Sequence, residues 1–130
     1  EFKKLLPGAT IAGLDHSKYA IKNSKEEVKR NLTLGSASAL PYSDNSFDLV
    51  FSINTLHCLH NYELQPALSE MERVSAKNKY LCVESFRNEV EKANLLYWQV
   101  TCEMFCTPAS WEWWFKTAGY TGDNSFIFFE

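Results

Sequence analysis

Three features that mark common classes of protein are missing from this sequence. Its 130 residues contain 13 lysines and arginines against 16 acidic residues, with no block of basic residues, so no nucleic-acid surface is predicted. The apolar runs are too short to cross a membrane, and the opening EFKKLLPGAT lacks the apolar core that a signal peptide needs. We therefore expect neither a nucleic acid nor a membrane as a partner.

Cysteine pairs with metal-binding spacing are also missing. Cys102 and Cys106 lie one helical turn apart, but no C-x-x-C pair completes a site, and burial as small apolar side chains explains them best. Cys58 lies between His57 and His60 without evident third and fourth ligands, so no metal site is predicted. Because no secretion signal accompanies the cysteines, we predict free thiols and a cytoplasmic location.

What the sequence does contain is an alternation of strand-like and helix-like segments. The predicted strands cover residues 10–15, 32–35, 47–53, 79–85 and 125–130, and the predicted helices cover 17–30, 63–74, 88–105 and 107–119. The length suits one domain over residues 1–130. This order predicts an α/β fold with a mostly parallel sheet that helices cover on both faces.

Two of the helices have clear sequence signals. One apolar face of the helix at 63–74 is predicted to be buried, namely Leu64, Ala67, Leu68, Met71 and Val74, while Glu70, Glu72 and Arg73 stay outside. Thr107 and Pro108 begin the last helix as N-cap and first residue, and Gly119 ends it. The strand at 47–53, FDLVFSI, is predicted to be buried.

Polar residues follow the predicted strands at the edge where parallel sheets bind ligands. Asp15 ends the first strand, and its carboxylate can either accept hydrogen bonds from the vicinal hydroxyls of a ribose or cap the next helix electrostatically. Glu84 ends a later strand and either contacts a substrate or caps the sheet. A G-x-A turn at residues 35–37 and the loop INTLHCLHNY at residues 53–62 reach the same edge.

Taken together, the acid after the first strand, the G-x-A turn after the second and the run LPYSDNSFDLV resemble a class I S-adenosylmethionine-dependent methyltransferase of the small-molecule type. The resemblance covers nearly the whole chain, and the pattern L-P-x-x-D-N-S-F-D-x-V is its most specific part. It implies a Rossmann-like fold, S-adenosylmethionine as cofactor, and methyl transfer to a small-molecule acceptor by in-line displacement.

The resemblance also implies roles for individual residues. Asp15 would hold the ribose, Ser36 and Ala37 would lie on the adenine side, and the remaining cofactor contacts would come from His16, Asn54 and Leu56. His57, whose imidazole titrates near neutrality, is the candidate catalytic base; the alternative is a packed histidine. The family usually has Asp where this chain has Ser36, so the serine either accepts a hydrogen bond from adenine or merely caps a turn.

The sequence departs from the family at its beginning. The family opens with a strand and a glycine-rich loop, whereas Gly8 and Gly13 are isolated here and EFKKLLPGAT resembles the end of the helix that follows that loop. We therefore expect an N-terminally truncated domain in which a central strand is missing. The strands at 10–15 and 47–53 should then pair directly, or another chain, such as a second copy in a homo-oligomer, should fill the gap.

Two other classes of function are kept as alternatives. One is a non-catalytic interaction module on the same fold, with its aromatic C-terminal half as the contact surface. The other is a nicotinamide-dependent dehydrogenase, which shares the acid after the strand but does not explain the LPYSDNSFDLV run. Methyl transfer is expected of the parent protein, with weak or absent cofactor binding in this chain.

Overall fold

The computed structural model describes residues 2–130 and has the predicted α/β architecture. Parallel strands are flanked by helices, which confirms the fold class. The helices are α1 Phe2–Leu5, α2 Lys18–Lys22, α3 Glu26–Lys29, α4 Asn61–Val74, α5 Glu89–Trp98 and α6 Pro108–Ala118. The strands are β1 Gly13–Asp15, β2 Leu32–Leu34, β3 Phe47–Ile53, β4 Ser75–Glu84 and β5 Asp123–Ile127, and a 3₁₀ turn, Leu56–Cys58, follows β3.

The strands form two separate parallel sheets. β1 pairs with β2, and the second sheet has the order β3-β4-β5. Within residues 2–130 no ladder joins β1 to β3, so the direct pairing that we considered for these two strands is not found. The chain before β1 forms helix α1 rather than a strand, as its resemblance to a helix end predicted.

The core lies on one face of the larger sheet. Val50, Leu81 and Val83 point to this face and pack with α4 and α6. The predicted apolar stripe of α4 is confirmed, because all five of its members are buried: Leu64, Ala67, Leu68, Met71 and Val74. Trp111 and Phe115 of α6 are buried in the same core.

The opposite face of β3 is exposed, which corrects part of the sequence prediction. The bounds of the strand are as predicted, but Leu49, Phe51 and Ile53 are 42%, 45% and 52% exposed. Side chains alternate along a strand, and Val50 points toward α4, so these three residues point away from it. A strand that looks buried in sequence therefore has one covered face and one open face in the described chain.

Helix boundaries differ from the prediction in two places. The helix predicted at 17–30 begins at its Ser17 cap but divides into α2 and α3, because Asn23 and Ser24 bond back to carbonyls of the preceding turn. The helix capped by Asn88 was predicted to reach residue 105 but ends at Trp98. Beyond it, backbone N–H groups of Glu103 and Met104 donate to the carbonyl of His57 instead of continuing a helix.

Helix α6 follows its sequence signals closely. Thr107 Oγ1 accepts a hydrogen bond from the Ser110 N–H at 3.3 Å, and Pro108 occupies the first turn. Gly119 ends the helix with a left-handed φ of 71°, a conformation that favours glycine. Across residues 2–130, none of the helices is both long and apolar enough to cross a membrane.

Candidate functional site

A cavity of about 370 Å³ lies between the two sheets, where β1 faces β3. Its wall comes from Gly13 and Leu14 of β1, from the turn after β2, from β3, and from the start of the loop that follows β3. The lining is mostly apolar and includes the polar side chains of Tyr42, Ser52 and Thr55. The cavity therefore occupies the gap between the two strands that no ladder joins.

The cavity brings together only some of the residues predicted for the site. Ala37 and Leu56 line it. Asp15 directly follows the lining residue Leu14, while Ser36 and Asn54 are chain neighbours of lining residues. His16, which is exposed, and His57, which is buried, do not line the cavity. The predicted cofactor residues thus lie at the carboxyl ends of β1, β2 and β3, but only some of them line the cavity.

Asp15 caps the next helix, which is one of the two roles that its position allowed. Its Oδ1 accepts a hydrogen bond from the Ser17 N–H at 2.8 Å, at the start of α2. Its carbonyl accepts one from the Gly35 N–H at 3.0 Å, which joins the end of β1 to the turn after β2. The side chain is 46% exposed, so the carboxylate is partly open to solvent.

Ser36 caps a turn. Its Oγ lies 2.7 Å from Ser38 Oγ and accepts the Ser38 N–H at 3.2 Å. Before it, a Cβ at Gly35 would lie 2.9 Å from Leu14 Cδ1, so the turn passes close to β1 because position 35 has no side chain. This close approach places the G-x-A turn beside the end of β1.

Sequence reasoning missed a side-chain network that fixes the next turn. Glu70 and Arg73 of α4 do not simply stay outside: Arg73 donates to the carbonyls of Leu40 and Tyr42 and to Asp44 Oδ1, at 3.1, 2.8 and 2.7 Å. Glu70 accepts from the Leu40 N–H at 2.7 Å and pairs with Arg73, whose hydrogen bond lowers the Glu70 pKa. The sequence signal for the Glu70–Arg73 pair was the i, i+3 spacing of two opposite charges on a predicted helix.

His57 and Glu84 form a buried pair behind the cavity wall. Their side chains are 0% and 2% exposed, and His57 Nε2 lies 3.4 Å from Glu84 Oε2. The Glu84 N–H donates to His57 Nδ1 at 3.3 Å, and Gln99 Nε2 donates to Glu84 Oε1 at 2.6 Å. Burial lowers the pKa of His57, against a smaller opposite effect of the Glu84 carboxylate. Sequence reasoning did not predict that these residues meet.

The cysteines carry no site in the part of the chain that the structure describes. All four are free thiols, and burial raises the pKa of Cys102 to about 12, so it is a weak nucleophile. Among residues 2–130, no group of three or more His, Cys, Asp or Glu side chains is arranged to hold a metal ion.

Parallel strands flanked by helices, with a carboxylate after β1 and a cavity at the strand ends, define a Rossmann-like α/β protein of the class that binds ligands at its sheet edge. The family described as the methyltransferase domain matches residues 1–83. This match covers more than half of the chain, so the chain belongs to the methyltransferase domain family. The resemblance to class I methyltransferases is thereby confirmed, and it disfavours the dehydrogenase alternative.

Curated relatives agree with this family, and solved structures agree with its fold. An uncharacterized methyltransferase from Synechocystis sp. is 28% identical over 109 residues, covering 81% of this chain and 50% of that protein. A methyltransferase of Haloferax volcanii, solved in complex with the Trm112 methyltransferase activator, matches with a TM-score of 0.66 and 20% identity over 91% of this chain and 54% of its own.

A third match has the same fold. It is a SAM-dependent methyltransferase from Thermotoga maritima, with a TM-score of 0.54 and 21% identity over 89% of this chain and 66% of its own. The identities to both solved structures support the fold alone. The chain spans half or less of the length of the curated relatives it matches.

Proposed function

We propose that this chain belongs to an enzyme that transfers a methyl group from S-adenosylmethionine to a small-molecule acceptor by in-line displacement. The observation that carries the proposal is that Ala37 of the G-x-A turn and Leu56 of the loop after β3 line one cavity, with Asp15 next to the lining residue Leu14, in a chain of the methyltransferase domain family. Because the chain spans half or less of its curated relatives, the activity is proposed for the whole protein.

The residues present suit the nucleoside half of the cofactor. The half-exposed carboxylate of Asp15 matches the vicinal hydroxyls of a ribose, and Ala37 offers an apolar surface to the adenine. Ser36 keeps one lone pair for a ligand when its own hydroxyl donates to Ser38 Oγ, because the Ser38 N–H occupies only the other lone pair. His16 and Asn54 stand beside these groups in the sequence, and Leu56 forms the cavity wall toward the acceptor.

The methionine half has no matching loop in this sequence. Glycine is needed where the backbone approaches a ligand closely, and the residues before β1 contain only the isolated Gly8. Bound S-adenosylmethionine supplies a methyl group on a good leaving group, so the task of the protein side chains is to orient the acceptor and exclude water. We therefore propose weak or absent cofactor binding in residues 1–130 and tighter binding in a gene product extended at the N-terminus.

Calorimetric titration with S-adenosylmethionine tests this function. We expect binding to the extended gene product and at least a tenfold loss, on the order of 1.4 kcal/mol, in Asp15→Asn, because one ribose contact loses its charge. Asp48→Asn is the matched control, since Asp48 lies on the surface, where its carboxylate pairs with Lys77. Equal absence of binding in the short and extended products would contradict the assignment.

An interaction module remains the second proposal, and exposed apolar side chains in the C-terminal half favour it. Tyr97, Trp98 and Val100, at the end of α5 and just beyond it, are exposed, as is Trp113 of α6. The Haloferax volcanii neighbour was solved with a protein activator, which gives a precedent for a protein partner on this fold. A second copy of this chain, filling the gap between β1 and β3, is the partner that we propose to test first.

A further inference from the structure

The ladder between β3 and β4 ends in an unusual acceptor. Asn54 donates its N–H to the Cys82 carbonyl at 3.0 Å, and then the chain turns away with a left-handed φ of 53° at Asn54. The next N–H on this edge of β4 belongs to Glu84, and it donates to the Nδ1 atom of His57 at 3.3 Å. An imidazole nitrogen thus takes the place that a backbone carbonyl has in a regular parallel ladder.

This contact determines which nitrogen of His57 carries the proton. A neutral imidazole has one donor and one acceptor nitrogen, and Nδ1 must be the acceptor because it faces the Glu84 N–H. The proton therefore lies on Nε2, which is 3.4 Å from Glu84 Oε2. Neither of these two buried atoms makes a hydrogen bond within residues 2–130, and at 3.4 Å each is the nearest available partner for the other.

His57 also connects three segments of the chain. Its carbonyl accepts hydrogen bonds from the N–H groups of Glu103 and Met104 at 2.9 and 3.0 Å. Its side chain holds the end of β4, where Gln99 donates to Oε1 of the Glu84 carboxylate. The preceding residue, Leu56, is 2% exposed and lines the cavity. The position of the cavity wall therefore depends on how His57 is held.

We propose that His57, in its Nε2-protonated form, and Glu84 are a positioning pair that holds the loop at residues 54–60 against the end of β4 and thereby places Thr55 and Leu56 in the cavity wall. His57 then acts through Leu56 and does not serve as a base on the acceptor. The consequence for cofactor binding rests on the proposed function, whereas the contact and its tautomer do not.

Protonation of His57 breaks this arrangement. A second N–H at Nδ1 would face the Glu84 N–H, so the ladder contact becomes a repulsion and the loop is released in acid. The pH of release is set by burial of the ring and by Glu84 of β4, the charged group that lies against it. The thiols of Cys58, Cys102 and Cys106 lie near one another and near Glu84. On the outer side, His60 Nδ1 pairs with Glu103 Oε2 at 3.6 Å.

The tautomer is measured directly by ¹⁵N NMR of the histidine rings in the wild-type chain. We expect an unprotonated Nδ1 and a slowly exchanging Nε2–H for His57 at neutral pH, with the exposed His16 and His60 as internal references. An Nδ1–H tautomer, or a ring already charged at neutral pH, would overturn the proposal. This measurement needs neither a variant nor a cofactor.

Variants separate the two ring contacts. His57→Asn keeps an acceptor near Nδ1, so the Glu84 amide should stay protected from hydrogen exchange. His57→Gln keeps only a donor near Nε2. Exchange of the Glu84 amide should then rise about tenfold, because one net hydrogen bond is lost. His60→Asn is the control and should leave that amide unchanged. Equal exchange in the Asn and Gln variants would contradict the proposal.

Cofactor titration of the extended gene product then distinguishes the two proposals. His57→Gln should bind S-adenosylmethionine more weakly than His57→Asn, and His57→Asn should retain methyl transfer. If wild type binds and His57→Asn keeps its Kd but loses only kcat, His57 is a base and the positioning role is wrong. If wild type does not bind at all, the proposed function fails, while the tautomer and exchange results still decide the positioning pair.

Discussion

Two small sets of buried or half-buried side chains hold the loops around the cavity in place. Arg73 and Glu70 hold the turn at residues 40–44 from α4, and His57 and Glu84 hold the loop after β3 from the end of β4. Both networks join a side chain to backbone groups far away in the sequence. Burying polar groups in this way destabilises the fold little when each group has a partner, but removing one partner leaves a buried polar group without a hydrogen bond. The loops are therefore held more firmly than their turn-rich sequences suggest.

The lowered pKa of His57 predicts how stability depends on pH. The unfolded chain binds a proton near the usual value of 6.5, whereas the folded chain resists protonation until a lower pH. Stability from this group is therefore fully present above pH 6.5 and is lost as the pH falls from 6.5 through the lowered folded pKa.

Urea unfolding measured over a pH series checks this expectation. His57→Gln should flatten the pH dependence in that window, because it removes the titrating group. The lowered pKa values of Glu70, Glu72 and Glu91 act at more acidic pH, below their usual value of 4.5. An unchanged slope between wild type and His57→Gln would show that another group titrates there.

Individual elements differ in how strongly local sequence controls them. Helix α6 has a capping residue at each end, Thr107 and Gly119, and its bounds agree with the prediction. The helix predicted at 88–105 also begins as predicted, at its Asn88 cap, but stops at Trp98 because the chain beyond it bonds to His57. A helix end without a local stop signal is thus decided by the contacts of the segment that follows it.

Substitution of Gly119 tests whether this residue ends helix α6. Gly119→Ala should lower the free energy of unfolding by about 1 kcal/mol, because a side chain at φ of 71° meets the penalty of the left-handed region. Gly8→Ala is the matched control, since its Cβ would meet nothing within 4 Å and its φ is not left-handed. Urea unfolding of both variants gives the comparison; equal effects would contradict the capping role.

At the scale of the whole molecule, the two sheets leave facing strand edges with a cavity between them. Unpaired strand edges are sites where another chain can add by backbone hydrogen bonding. Beside the edge of β3, Leu49 and Ile53 expose apolar side chains on one face. Both features favour association through this part of the molecule.

We expect the chain of 130 residues to form a concentration-dependent oligomer without ligand, measured by sedimentation velocity. The double variant Leu49→Lys with Ile53→Lys should shift it toward monomer, because both side chains lie on the open face of β3. Tyr19→Lys with Val90→Lys, at the start of α2 and of α5, is the control for exposed apolar residues elsewhere. A monomer at all concentrations, or equal effects of both variants, would contradict association through β3.

The sequence by itself determined the features that depend on near neighbours along the chain. The apolar period of α4, the caps of α6 and the alternation of strands and helices each act within a few residues, so they could be read without a structure. The LPYSDNSFDLV run gave the family for the same reason, since it is a contiguous motif.

Only the tertiary structure decided what depends on residues far apart. It separated the strands into two sheets, left one face of β3 exposed, and placed His57 against Glu84, 27 residues away along the chain. Sequence patterns define which side chains are apolar or polar, but the partner of a buried polar atom is set by the packing of distant segments. For that reason the sequence left His57 as either a base or a packed histidine, and its burial behind the cavity wall emerged only from the fold.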